Sequence, residues 1–340
     1  MMTHDSLPPA SIVTVNGTSI ATRTLEPPTA SAGDIVLCHG TPWSSQVWTS
    51  VATDLSRDYR VFLWDMPGYG ESEKSAAVTT DLAAQAVRLG ALIELWGLQR
   101  PHVVAHDIGG AVALRAHLLN GVEYADVFLW DVVTLDPWGS PFFRLVAENA
   151  HVFEQLPAHL HAALVKEYIA AAAFRPLSDE DVEALASQWL GPIGQAAFYR
   201  QITALSAADT RPVANRLEAT RSPVRIGWGR DDPWIPLRQA YELQSRFPDH
   251  PEVVVLDDVG HLTPVEDPSA VTAAVRAWLA RQPAPPRRRR VGHGRGRPPS
   301  SPSRPRADAT RHSDPTRRRG RQATQPSVVD LSELPPAHRS

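Results

Sequence analysis

The stretch VVAHDIGGAVAL, residues 103–114, fits a strand, a sharp turn and the start of a helix into twelve positions. Val103, Val104 and Ala105 form a short apolar run, and a small-residue pattern with helical spacing begins after Gly110. Between them His106-Asp107-Ile108-Gly109-Gly110 leaves no length for a loop, and the glycine pair admits a close approach of strand and helix. A turn this tight points the side chain of Asp107 outward and aims the amide of Ile108 at the same space. A strand that feeds directly into a helix is the unit from which parallel sheets are built.

The rest of the chain keeps that rhythm. Residues 11–25 read as a hairpin around Asn16-Gly17. Short apolar strands are expected at 34–38, 60–64, 102–105 and 125–133, with helical spacing at 45–55 and an amphipathic helix at 81–96. This alternation predicts an α/β fold with a mostly parallel central sheet and helices on both faces. From residue 136 to about 212 the alternation stops, and the chain is alanine-rich and helical. Breaks are expected at Arg175-Pro176 and at Gly191-Pro192-Ile193-Gly194, and Ser178-Asp179-Glu180-Asp181 reads as a helix start. Strands resume at 224–228 and 252–256, and a helix at 268–279 closes the pattern. The expected organisation is therefore core at 1–135, a helical lid over the strand ends at 136–212, core again at 213–282, and a tail at 283–340. There is no internal repeat.

The tail is set apart by composition. Residues 283–340 hold 14 arginines, no lysine and 4 acidic residues, a balance of +10, together with 11 of the 31 prolines. The remainder holds 20 basic and 33 acidic residues, a balance of −13, so the net charge of −3 hides an acidic body and a basic tail. With almost no large apolar residue, the tail cannot bury enough surface to offset its ordering entropy and is expected to be disordered. Its arginine runs lack interleaved aromatics and a folded module, so it is read as a solvated extension and not as a nucleic-acid-binding element. The start MMTHDSLPPA has neither the basic nor the apolar region of a signal peptide, and no apolar run reaches a membrane span. The one cysteine, Cys38, rules out an internal disulfide, and a cytoplasmic protein with no membrane partner is expected. The oligomeric state is not legible in the sequence.

Turns at the carboxyl ends of parallel strands are where such folds place their chemistry. Four stand out: His39-Gly40-Thr41-Pro42, the Asp107 turn, Gly229-Arg230-Asp231-Asp232-Pro233-Trp234-Ile235-Pro236, and Gly260-His261. With Asp65-Met66-Pro67-Gly68-Tyr69-Gly70-Glu71-Ser72 they make an ordered set that resembles the α/β-hydrolase superfamily over residues 10–282. The turn that carries serine in many of those enzymes carries Asp107 here, which is similar to the branch of epoxide hydrolases and haloalkane dehalogenases. That resemblance implies a hydrolase needing no metal and no organic cofactor, with a small apolar substrate and water as its partners.

In that branch the roles would fall as follows. Asp107, already ionised near neutral pH, attacks a saturated carbon and forms an alkyl ester. His261 activates water, which attacks the carboxyl carbon of Asp107 itself. The amides of Thr41 and Ile108 stabilise the resulting oxyanion. The acid that holds His261 is Asp232 by its spacing in the third turn, with Asp131, after the preceding strand, as the alternative. His39 and His106 read as ordering residues, and His151, His159 and His161 lack metal-ligand spacing.

Two departures bear on the leaving group. Dehalogenases similar to this chain bind halide with an asparagine and a tryptophan at the positions of Thr41 and Ile108, neither of which offers a side-chain N–H. Trp43, Trp138 or Trp189 would have to supply a donor instead. Epoxide hydrolases use lid tyrosines to protonate the opening ring, and the lid holds Tyr168 and Tyr199, the latter in Phe198-Tyr199-Arg200. The expected activity is epoxide hydrolysis, with dehalogenation next. Ester or lactone hydrolysis, or ligand binding without turnover, are the further alternatives.

Overall fold

A computed structural model describes residues 6–281. The Arg/Pro-rich segment at 283–340 lies outside the described residues. The sheet has eight strands: β1 (Ser11–Val15), β2 (Thr18–Leu25), β3 (Asp34–Cys38), β4 (Arg60–Trp64), β5 (His102–His106), β6 (Asp126–Trp130), β7 (Val224–Gly229) and β8 (Val253–Leu256). Their order across the sheet is β1-β2-β4-β3-β5-β6-β7-β8. The β1–β2 hairpin and the β2–β4 pair are antiparallel, and every other pair is parallel. Helices α1 (Thr49–Leu55), α2 (Leu82–Leu95), α3 (Ile108–Asn120), α9 (Arg238–Arg246), α10 (Thr263–Glu266) and α11 (Pro268–Leu279) accompany it. Between β6 and β7 stand five more: α4 (Pro141–Phe153), α5 (Ala158–Ala170), α6 (Asp179–Ser187), α7 (Gly191–Ala204) and α8 (Ala207–Ala214).

Every residue of β5 and β6 is buried, as central strands covered on both faces require. The edge strand β8 is only half-buried. Two boundaries differ from the sequence reading for identifiable reasons. The apolar run at 125–133 continues past the strand, but Asp131 adopts φ 46° and turns the chain, so β6 ends at Trp130. Gly191-Pro192 does interrupt the lid, yet the pair belongs to the first turn of α7, where proline sacrifices no helical hydrogen bond. Ser178 caps α6, its hydroxyl accepting from the amide of Asp181.

The segment at 65–72 braces the loops that flank β3 and β4. The Asp65 carboxylate accepts from the amides of Ser45 (2.8 Å) and Glu71 (2.9 Å) and lies 3.6 Å from the Arg23 guanidinium. Gly70 has φ 51°, and a Cβ there would sit 2.2 Å from the Asp65 carboxylate, so only glycine serves. Among the described residues no helix is long and apolar enough to cross a membrane.

Candidate active site

The turn between β5 and α3 places Asp107 at φ 53°, ψ −126°, a conformation that a non-glycine residue holds only under constraint. The constraint is visible. The amide of Asp107 donates to the carbonyl of Trp130 (3.1 Å), and its carbonyl accepts from Gly110 (3.0 Å) and Val133 (3.2 Å). The neighbouring glycines are steric necessities: a Cβ at Gly109 would lie 2.4 Å from the His39 carbonyl, and one at Gly110 would lie 2.2 Å from Val132. On the facing loop, a Cβ at Gly40 would lie 2.4 Å from the Asp107 side chain.

The two carboxylate oxygens of Asp107 have different surroundings. Oδ1 accepts a hydrogen bond from the amide of Thr41 at 2.6 Å. Oδ2 lies 3.5 Å from Nε2 of His261, a separation over which charge acts but a direct hydrogen bond is weak. Ile108 is the first residue of α3, so its N–H is one of those that a helix leaves unpaired at its start.

His261 follows β8 and is fully buried. Its Nδ1 lies 2.9 Å from Oδ2 of Asp232. Its amide donates to the carbonyl of Ala172 (2.9 Å), and its carbonyl accepts from Nε2 of His106 (2.7 Å). Nε2 of His261 has no hydrogen-bond partner among the described residues. Gly260 runs against the segment that follows α5, where a Cβ would meet the Phe174 amide at 2.4 Å. The other oxygen of Asp232 accepts from the amides of Trp234 (2.7 Å) and Ile235 (2.8 Å), which aims the first at the imidazole. Asp131 is turned elsewhere: it accepts from the amide of Gly229 (2.7 Å) and the hydroxyl of Thr263 (2.8 Å). Of the two candidate acids, Asp232 touches the imidazole.

Electrostatics separate the groups. Burial alone would lower the His261 pKa, but the charge of Asp232 and its contacts with Asp107 outweigh it and hold the imidazole well above its ordinary range. Burial likewise opposes ionisation of Asp107, yet its interactions with His261 and the Thr41 amide leave its pKa below the usual value. Asp131 goes the other way, raised well above the carboxylate range by burial and by the charge of Asp232. His106 is pushed down to about 3 by burial and by His261, so it stays neutral. His39 orders its own loop, accepting from the Met66 amide at Nε2 (2.9 Å) and donating from Nδ1 to the Gly40 carbonyl (2.8 Å).

Above the carboxylate is a small, partly open cavity. Thr41, Asp107 and Ile108 form its floor; Val133, Trp138, Ser140, Phe143, Tyr168, Trp234 and Ile235 form its walls. Tyr168 stacks on Trp234 with centroids 4.7 Å apart, and burial raises its pKa, keeping it protonated. Tyr199 is fully buried elsewhere, accepting or donating at 2.8 Å with Nδ1 of His161, and it does not line the cavity. The three tryptophans are also sorted. Trp138 lines the cavity but donates its indole N–H to Thr210 (3.0 Å). Trp189 donates to the carbonyl of Pro42 (2.8 Å). Trp43 lies outside the cavity lining, stacked on Trp234 at 5.9 Å. Trp234 and Ile235 carry no mark in the sequence as lining residues, although they stand two and three positions after the acid. Among the described residues no three His, Cys, Asp or Glu side chains are grouped as a metal site would need.

Comparison with known proteins identifies the family. The model of the alpha/beta hydrolase family matches residues 35–275. A protein of Pseudomonas syringae pv. syringae (strain B728a), called "Putative carbamate hydrolase RutD", is 28% identical over 263 residues, covering 75% of this chain and 96% of that protein. The crystal structure of an alpha/beta hydrolase fold protein from Burkholderia ambifaria is 43% identical, with a TM-score of 0.75 over 79% of this chain and 97% of that one. A thermophilic esterase from Thermogutta terrifontis shares the fold at 24% identity and a TM-score of 0.63, covering 81% of this chain and 98% of that one. The chain belongs to the alpha/beta hydrolase family of enzymes.

Proposed function

We propose that this enzyme is a cofactor-independent hydrolase that forms an alkyl ester on Asp107 and then hydrolyses it, acting on a neutral, apolar epoxide. The observation that carries this reading is the 2.6 Å hydrogen bond from the Thr41 amide to Oδ1 of Asp107. In an acyl-transfer enzyme the oxyanion donor is free to receive the substrate carbonyl. Here it is spent on the carboxyl group of the protein, which is useful if the oxyanion forms on that group.

Oδ2 would attack a ring carbon, the C–O bond of the ring would break, and the leaving oxygen would take the proton of Tyr168. Asp107 thereby loses its charge. One of the interactions that raises the His261 pKa then disappears, so the imidazolium releases its proton to solvent, from which it is regained at the end of the cycle, and the neutral ring is a competent base. Nε2 takes a proton from water, hydroxide attacks the carboxyl carbon, and the Thr41 amide receives the charge developing on Oδ1. Collapse expels the second alcohol oxygen, which is protonated by His261. The proton left on the Asp107 carboxyl returns to the Tyr168 phenolate, closing the cycle.

Dehalogenation stands second, because the Trp138 indole N–H is engaged by Thr210 and neither Thr41 nor Ile108 has a side-chain N–H for halide. Ester or carbamate hydrolysis stands third; the name of the Pseudomonas relative favours it. It would need Asp107 to activate water directly. Single turnover of styrene oxide in oxygen-18-labelled water tests the covalent route. Attack on the ester carbon puts the label into Asp107 and none into the diol; label in the product during the first turnover refutes the covalent route.

A further inference from the structure

The Thr41 amide sits on a loop, and a loop does not by itself hold an N–H to a fraction of an ångström. The support comes from the lid. Gln201, on α7, is 1% exposed. Its side-chain oxygen accepts from the Thr41 hydroxyl at 2.8 Å and from the Tyr69 hydroxyl at 2.8 Å. One residue on, the Pro42 carbonyl accepts from the Trp189 indole at 2.8 Å, and Gln188 accepts from the Gly70 amide at 2.6 Å. Thr41 is thus gripped at its hydroxyl by α7 and at the next carbonyl by Trp189, two residues before α7, while its N–H faces Asp107.

We propose that Gln201 is a positioning residue: by holding the Thr41 hydroxyl, the lid sets the Thr41 amide against the Asp107 carboxyl, so this contact is complete only when α7 is docked on the core. A neutral amide suits the task. Its oxygen serves two hydroxyl donors at once, and it adds no charge beside the ionised Asp107, as glutamate would. Removing it takes the shared acceptor from two buried hydroxyls that also lie against one another, and their re-pairing disturbs the turn that carries the amide. The kinetic consequence rests on the ester mechanism proposed above: the amide is needed most when charge forms on Oδ1, so ester hydrolysis suffers more than ester formation.

The test is backbone hydrogen exchange at residue 41 in the full chain, comparing wild type, Gln201→Leu, Thr41→Val and the double variant. Loss of one neutral hydrogen bond corresponds to an exchange rate at residue 41 raised about fivefold, with the central-strand amides of Val36 and Val104 unchanged. The double variant should be no worse than the worse single, because both changes remove one contact. An unchanged rate at residue 41 in both singles, or additive effects in the double, overturns the proposal. Thr41→Val reads the same contact from the core side, so an unstable Gln201→Leu protein does not leave the outcome open. With styrene oxide as probe, Gln201→Leu should accumulate the Asp107 ester. Faster exchange at residue 41 with no ester in His261→Gln would keep the positioning role and refute the ester mechanism.

Discussion

Replacing Asp232 by asparagine tests the division of labour between the two buried acids. Asp232 contacts Nδ1 of His261 at 2.9 Å with both side chains out of solvent, while its other oxygen is held by two backbone amides. Asparagine keeps an acceptor for those amides and turns its NH₂ toward Nδ1. Loss of a charge-assisted hydrogen bond to the imidazolium costs about 1.5–3 kcal/mol, or about ten- to 150-fold in rate. The amide also reverses the tautomer: Nδ1 must now accept, so the proton sits on Nε2, facing Asp107, where the base is required. In triads this reversal lowers turnover about 10⁴-fold. Attack by Asp107 needs no base, so ester formation should persist while its hydrolysis falls by between about tenfold and 10⁴-fold. Rapid-quench intact mass during turnover of styrene oxide reads both steps. Turnover within a few-fold of wild type, or equal loss of both steps, would refute the assignment of Asp232.

Tyr168→Phe should slow ester formation about 10²-fold or more and leave hydrolysis of a preformed ester unchanged; equal effects on both would remove Tyr168 from the ring-opening step. Asp131→Asn should become progressively more stabilising relative to wild type as pH rises. The folded-state pKa of Asp131 is raised above its ordinary 3.8, so its contribution to stability is full below that value and is lost as pH rises through the folded one. Asparagine has nothing to ionise, and a melting-temperature difference that is flat from pH 4 to 8 would contradict the raised value. Gly109→Ala would force a Cβ to 2.4 Å from the His39 carbonyl. It should destabilise the protein by about 1–3 kcal/mol in urea unfolding; a neutral effect would mean that the elbow has slack.

The parts of the site that depend on backbone were legible in the chain. A non-glycine at a tight strand-to-helix turn, glycines that lie within 2.6 Å of neighbouring atoms when given a Cβ, and a histidine after the last strand all leave marks at fixed sequence positions. The parts that depend on side-chain direction were not. Asp131 and Asp232 follow adjacent parallel strands, β6 and β7, and hydrogen bonds decide which carboxylate faces His261: the amides of Trp234 and Ile235 aim Asp232, while the Gly229 amide and Thr263 hydroxyl hold Asp131 elsewhere. The motif around Tyr199 drew attention to it, whereas Tyr168 had none. Yet Tyr199 faces His161 and Tyr168 faces the cavity, because the faces of α5 and α7 are set by packing within the lid. Gln201 carried no signal at all, since its partners stand 160 and 132 residues away.

The central claim is that Asp107 becomes covalently bonded to substrate, and the intact mass of His261→Gln after incubation with styrene oxide and 1-bromobutane tests it most directly. This variant keeps the carboxylate and the Thr41 amide but lacks the base for the second step. The account predicts a mass gain equal to one whole epoxide, located on Asp107 by peptide sequencing and abolished by Asp107→Asn. A gain of a butyl group without bromine would move the activity to dehalogenation. A folded variant that gains no mass from either compound would contradict the account.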